Sequence, residues 1–174
     1  MMDRLEARSS ILAKPARDNK LVWFILWGIY FGLGYLVINH LSLSRSWYLD
    51  VALPYEAHIP FWPGFIFVYG LDYIGMTALA FILKQDEWPA LIKSLFLLTT
   101  IHFAIFLALP VKMHLRPELA GSGIDYLATK FIYMIDQPFN CFPSLHVAYP
   151  LLVALVVKRL RLIYGFIAIA TAFA

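Results

Sequence analysis

Long uncharged blocks alternate with short polar joints along this chain of 174 residues. Leu21 to Ile38, LVWFILWGIYFGLGYLVI, carries no charge. Its apolar residues form a block rather than a stripe, and a membrane span needs roughly 20 such residues, with about 17 as the lower limit. The block predicts a first transmembrane helix. A cleaved signal peptide would have a shorter apolar core and a small-residue cleavage site, and no such site follows. Gly64 to Leu83 predicts a second span. Leu91 to Leu109 predicts a third, with Lys93 at its edge placed to snorkel. A fourth is expected from Pro143 to Val157, and a fifth apolar segment from Leu162 to Ala174.

The joints differ in kind. Residues 1–20 are polar and basic and read as a tail or surface helix. The joint from Asn39 to Pro63 is rich in Pro and aromatics, which suits an interfacial loop. KQDEWPALIK is a short hairpin. Between the third and fourth spans, Ile124 to Ile135 predicts a short helix lying on the membrane surface. The fifth segment would reach only about 20 Å at ~1.5 Å per residue, against a ~30 Å hydrocarbon core. It is therefore expected to be re-entrant or, by preference, cut before its natural stop.

Composition strengthens this picture. The chain is 61% hydrophobic and 14% charged, where a soluble domain carries roughly 25% charged residues. Mean hydropathy is +0.73. The fold class expected is all-α: a polytopic membrane helix bundle of one domain over residues 21–174. The lone Cys141 admits no disulfide within the chain and reads as a packing residue rather than a reactive thiol.

Charge orients the bundle. Arg4, Arg8, Lys14, Arg17, Lys20, Lys84, Lys93, Lys158, Arg159 and Arg161 fall on one side, and only Arg45, Lys112, Arg116 and Lys130 on the other. The positive-inside rule puts the first set, and the N-terminus, in the cytoplasm. That use of the basic residues leaves no reason to invoke a nucleic-acid partner.

The stretch DQPFNCFPSLHVAYP, Asp136 to Pro150, then faces the periplasm, lumen or exterior. Proline is tolerated in the first turn of a helix, so Pro143 is expected to open the fourth span, with Ser144 and His146 in its first turns. A helix N-terminus offers free N–H groups and partial positive charge to an anion. Ser144 adds a hydroxyl, and His146 a group that exchanges a proton near neutral pH. Lys112 and Arg116 in VKMHLRPE add phosphate-binding charge. Each has a plainer reading: headgroup anchoring for the two cations, a helix cap for Ser144, interfacial packing for His146. Their coincidence at one outward mouth favours a phosphate pocket. Asp72 inside the second span is costly unless paired. It is either a site residue or hydrogen-bonded to a neighbouring helix. His102 in the third span reads as a packing residue.

NCFPSLHVAYP, Asn140 to Pro150, resembles the second signature, P-S-x-H, of the type 2 phosphatidic acid phosphatase superfamily. The preceding D-Q-P-x-N, with Asp136 and Asn140 as supporting residues, is closer to its inositolphosphotransferase branch, which includes inositol phosphorylceramide synthase. VKMHLRP resembles the first signature, K-x6-R-P, with three residues rather than six between Lys112 and Arg116. The likeness covers roughly Leu21 onward. It implies a six-helix membrane fold acting at its outer face on a lipid phosphate or phospholipid. The implied chemistry is two-step phosphoryl transfer through a phospho-His, without metal or other cofactor. It further implies His146 as general acid, Ser144 as phosphate ligand, and Arg116 and Lys112 as charge clamps. The third signature, S-R-x5-H-x3-D, which carries the nucleophile, has no counterpart in these 174 residues. The alternatives are a relative that binds headgroups without turnover, and a transporter using Asp72 and His102.

Overall fold

The computed structural model describes residues 19–114 and 116–172. The basic tail lies outside the described residues except for Asn19 and Lys20. Six α-helices follow in order: α1 Lys20–Leu43, α2 Phe65–Ile82, α3 Trp88–Ala108, α4 Ile124–Ile135, α5 Leu145–Val156 and α6 Arg161–Ala172. Among the described residues there is no strand beyond isolated bridges. The all-α bundle expected from the apolar blocks is what forms, and α1, α2 and α3 are long and apolar enough to cross a membrane.

Two boundaries move for physical reasons. α1 continues past its apolar block through Asn39, His40 and Ser42. Ser42 Oγ donates back to the Ile38 carbonyl at 2.9 Å, and Asn39 finds partners outside the helix, so neither ends it. The fourth apolar segment starts later than expected. Ser144 has extended backbone (φ −73°, ψ 121°), so Pro143 does not open the helix and Leu145 is its first residue. At 12 residues, α5 is only about 18 Å long, short of a full crossing. An irregular segment from Asp136 to Ser144 precedes it, fastened to α1 through Tyr35 and Asn39.

Helix α5 lies at the centre, packed against α2, α3 and α6, while α1 packs on α3. Beneath the N-terminal end of α5, Trp27 Nε1 donates to Thr99 Oγ1 at 3.1 Å, and Thr99 shares a 2.8 Å hydrogen bond with the Tyr149 hydroxyl. One buried threonine thus ties α1, α3 and α5 together. Trp27 stands edge-on to Tyr149 at 5.2 Å, a favoured aromatic geometry. Below this knot the core is closed by Leu79, Trp88, Leu91, Leu95 and Val153, all fully buried. Gly34 lets α1 approach α3, since a Cβ there would collide with the Phe103 ring.

Helices α5 and α6 form an antiparallel pair. Thr171, near the end of α6, donates to the His146 carbonyl at 3.0 Å, so α6 returns to the level where α5 begins. The turn between them is anchored to the α2–α3 hairpin. Arg159 Nε and Nη2 donate to both Glu87 carboxylate oxygens at 2.9–3.1 Å, and Nη2 also donates to the Ile82 carbonyl at 2.7 Å. The pair holds the Glu87 carboxyl below its ordinary value of 4.5. A depressed carboxylate stabilises the folded state above that ordinary value, and the contribution is lost as pH falls through the lowered one. The pair is at the surface, so salt screens it. Glu87→Gln is expected to lower the melting temperature slightly at neutral pH and low salt. The difference should vanish in high salt and in acid; a difference that persists there would assign the loss to packing.

Candidate functional site

The ends of α1 and α3 and the start of α5 meet in a loop cluster. Leu49 N donates to the Pro110 carbonyl at 2.8 Å, Lys112 N to Leu49 O at 3.1 Å and Met113 N to Pro138 O at 2.9 Å. The two interhelical loops are thereby stitched to the segment preceding α5. That segment turns inward and is caught by α1. Asn39, 1% exposed, donates through Nδ2 to Asp136 Oδ1 (3.3 Å), Gln137 O (3.0 Å) and Phe139 O (3.3 Å), and accepts from Gln137 N at 3.1 Å. One turn earlier, the Tyr35 hydroxyl donates to Asp136 Oδ1 at 3.0 Å, and the Tyr35 carbonyl accepts from Asn140 Nδ2 at 3.3 Å. Asn140 is buried with φ 59°, a left-handed conformation that Asn tolerates better than most residues. It supplies the reversal that sends the chain into α5.

Arg116 is bound to the same segment from the other side. Its Nη1 donates to the Asp136 carbonyl at 2.7 Å, and its guanidinium carbon lies 4.4 Å from the centroid of the Tyr133 ring, a cation–π contact. Its Nε is buried and has no hydrogen-bond partner among the described residues. Asp136 is pushed above the usual carboxylate range, first by burial, with the Tyr35 hydrogen bond and the Arg116 charge opposing. Burial, then the Asp136 charge, raise the neighbouring Cys141 thiol to about 11. A thiol held there is not a nucleophile near neutral pH, in keeping with a packing role.

His146 is the second residue of α5. Its ring lies against Tyr69 of α2, centroids 3.8 Å apart and 31° between planes, and its Nε2 shares a 3.3 Å contact with the Tyr73 hydroxyl. The segment that Arg116 holds at Asp136 leads into α5, whose second residue is His146. Ser144 caps α5 by position, but its hydroxyl makes no capping bond and is free to donate elsewhere. Lys112 is held differently. Its ammonium lies over the rings of Tyr48 (4.8 Å) and Phe139 (5.8 Å). No side-chain hydrogen bond among the described residues joins Lys112 or Ser144 to Arg116, Asp136, Asn140 or His146.

Four contributors escaped the sequence reading: Tyr35, Asn39, Tyr69 and Tyr73. Each pair is spaced i, i+4, which puts both members on one helix face. A polar group repeated at that spacing inside an apolar block was the available signal. Asp72, on the Tyr69–Tyr73 face, is 5% exposed, and its carboxyl accepts no hydrogen bond from a described residue. Among the described residues, the hydrogen bond to a neighbouring helix expected as one of its two readings does not form. His102 is buried, its Nδ1 2.9 Å from the Leu98 carbonyl and its ring edge-on to Phe106, while its Nε2 is buried without a hydrogen-bond partner among the described residues.

No family model, curated protein or solved structure matches the chain. Its chemistry is therefore read from the arrangement itself. The first turn of α5 presents backbone N–H groups and the positive end of its dipole. A free hydroxyl and an imidazole stand in that turn, and a guanidinium with an uncommitted N–H is fastened to the preceding loop. Hydrogen-bond donors dominate this set, so it suits an anion.

Proposed function

We propose that the chain is an integral membrane lipid phosphatase or phosphotransferase of the type 2 phosphatidic acid phosphatase kind. It acts on phospholipid or lipid-phosphate headgroups, through a phospho-His intermediate in the complete family fold. The observation that supports this most is that Asn140–Pro150, the stretch resembling the second signature, packs into the bundle, and that Arg116 is bound to the backbone of Asp136 in the D-Q-P-x-N that precedes it. In this reading the α5 N-terminus, Ser144 and Arg116 hold the phosphate oxygens, and Lys112 adds a more distant positive charge. His146 protonates the leaving oxygen. Tyr69 and Tyr73 fix the imidazole so that its transferable proton meets the phosphate ester.

The sidedness belongs to the same proposal. Lys20, Leu83, Glu87 and Arg159 lie together at the opposite end of the bundle from the site. By the positive-inside rule that end is cytoplasmic, and the site faces the periplasm, lumen or exterior.

The test uses the full chain in nanodiscs containing phosphatidic acid, with a chelator present throughout. Headgroup binding and phosphate release are followed separately. Binding with chelator-resistant release is expected from the phosphatase reading. Binding without release would favour a headgroup-binding protein that does not turn over. Strict dependence on a divalent metal, or no binding, would overturn the proposal.

A further inference from the structure

Helix α4 has the opposite polarity to a helix on a water-facing surface, where apolar residues point to the core. Here Ile124, Leu127, Phe131, Met134 and Ile135 point outward and are 49–76% exposed. The inward side carries Thr129, buried and donating to the Asp125 carbonyl at 2.8 Å, and Tyr133, which lies beneath the Arg116 guanidinium. Lys130 is exposed among the apolar residues, with a stem long enough to carry its ammonium toward headgroups.

What covers the outward face follows from its neighbour. α4 packs on α2, one of the helices built to cross a membrane. α2 exposes its own stripe of Phe67, Leu71 and Ile74. The α4 face thus adjoins a surface that lipid covers.

We propose that α4 is seated in the membrane leaflet, its apolar face among lipid acyl chains, and that this seating positions Arg116. The guanidinium is held by two parts of this one element: the Tyr133 ring and the carbonyl of Asp136, the residue that ends the helix. Arg116 consequently stands at the boundary between protein and lipid. Its anionic ligand is a membrane-borne amphiphile that arrives within the leaflet. The choice of ligand rests on the headgroup-binding reading; the seating of α4 does not.

The test has two arms, both on the full chain in nanodiscs. In a Cys141→Ser background, Leu127→Cys, Phe131→Cys and Met134→Cys are labelled one at a time with an environment-sensitive fluorophore. Arg45→Cys serves as the loop reference. Seating predicts blue-shifted emission at the three α4 positions and strong quenching by lipids spin-labelled on the acyl chain. Quenching by aqueous iodide as strong as at Arg45→Cys would overturn it. So would shielding from both quenchers, which would mean that protein covers the face. In the second arm, Phe131→Glu with Met134→Lys should weaken phosphatidic acid binding by about tenfold, roughly 1.4 kcal/mol, with helical content unchanged. Glycerol 3-phosphate should bind more weakly than phosphatidic acid to the unaltered chain. Unchanged phosphatidic acid binding in the double variant, or equal binding of the two ligands, would overturn the link to Arg116. Should the unaltered chain bind no phosphatidic acid, the headgroup reading fails, and the quenching arm still decides the seating.

Discussion

Arg116→Ala is expected to weaken binding of phosphatidic acid by about 10- to 100-fold, the loss typical of one charge-assisted hydrogen bond. Arg116→Lys should recover only part of it. In the proposed function the guanidinium does two jobs at once: Nη1 holds the Asp136 carbonyl, and Nη2, which makes no hydrogen bond among the described residues, meets a phosphate. An ammonium is a point charge without that planar fork. His146→Ala should fail in another way, keeping binding within a few-fold while abolishing any release of phosphate. Titration calorimetry or fluorescence binding in nanodiscs, alongside a phosphate assay, separates the two. Equal losses of binding in both variants would place His146 among the binding groups and remove its role as acid. Wild-type binding by Arg116→Ala would detach the guanidinium from the ligand altogether.

Asn39→Ala is expected to cost about 2–4 kcal/mol of stability and to loosen the segment that precedes α5. The alanine would leave the Gln137 amide and the Phe139 carbonyl without their partner, while the Gln137 carbonyl keeps its 2.7 Å bond from Phe139 N. Buried groups stripped in this way carry their full desolvation penalty. Asn39→Asp should do no better. It keeps an acceptor for Gln137 N but turns a carboxylate oxygen toward two carbonyls and Asp136. Thermal unfolding in detergent, read against Ser44→Ala at the exposed end of the same helix, measures the difference. A loss no larger than that of Ser44→Ala would show that water replaces the amide without penalty and that the loop does not depend on α1.

Much of this architecture was legible in the apolar blocks. A run such as Leu21–Ile38 leaves few options, because lipid forces every backbone N–H and C=O into a helix. The limits of α2 and the whole of α4 follow the sequence reading closely. The start of α5 does not. Its position depends on the extended backbone at Ser144 and on the reversal at Asn140, and the reversal is maintained by contacts with α1 about a hundred residues earlier. No local pattern encodes a partner so remote. The site shows the same division. His146, Arg116 and Ser144 were visible as chemistry beside an apolar block. Tyr35 and Asn39 were not, because inside such a block a tyrosine and an asparagine look like interfacial residues until their partners are placed. Lys112 shows the converse: a cation conspicuous in sequence whose ammonium rests on two aromatic rings.

The Trp27–Thr99–Tyr149 knot and the fully buried residues beneath it form a packed floor under the first turn of α5. Among the described residues, no side-chain hydrogen bond joins His146 or Tyr73 to that floor. On the proposed function, chemistry at the α5 N-terminus would then draw on the pH and the lipids of the face where that helix begins, and would leave the gradient across the bilayer undisturbed.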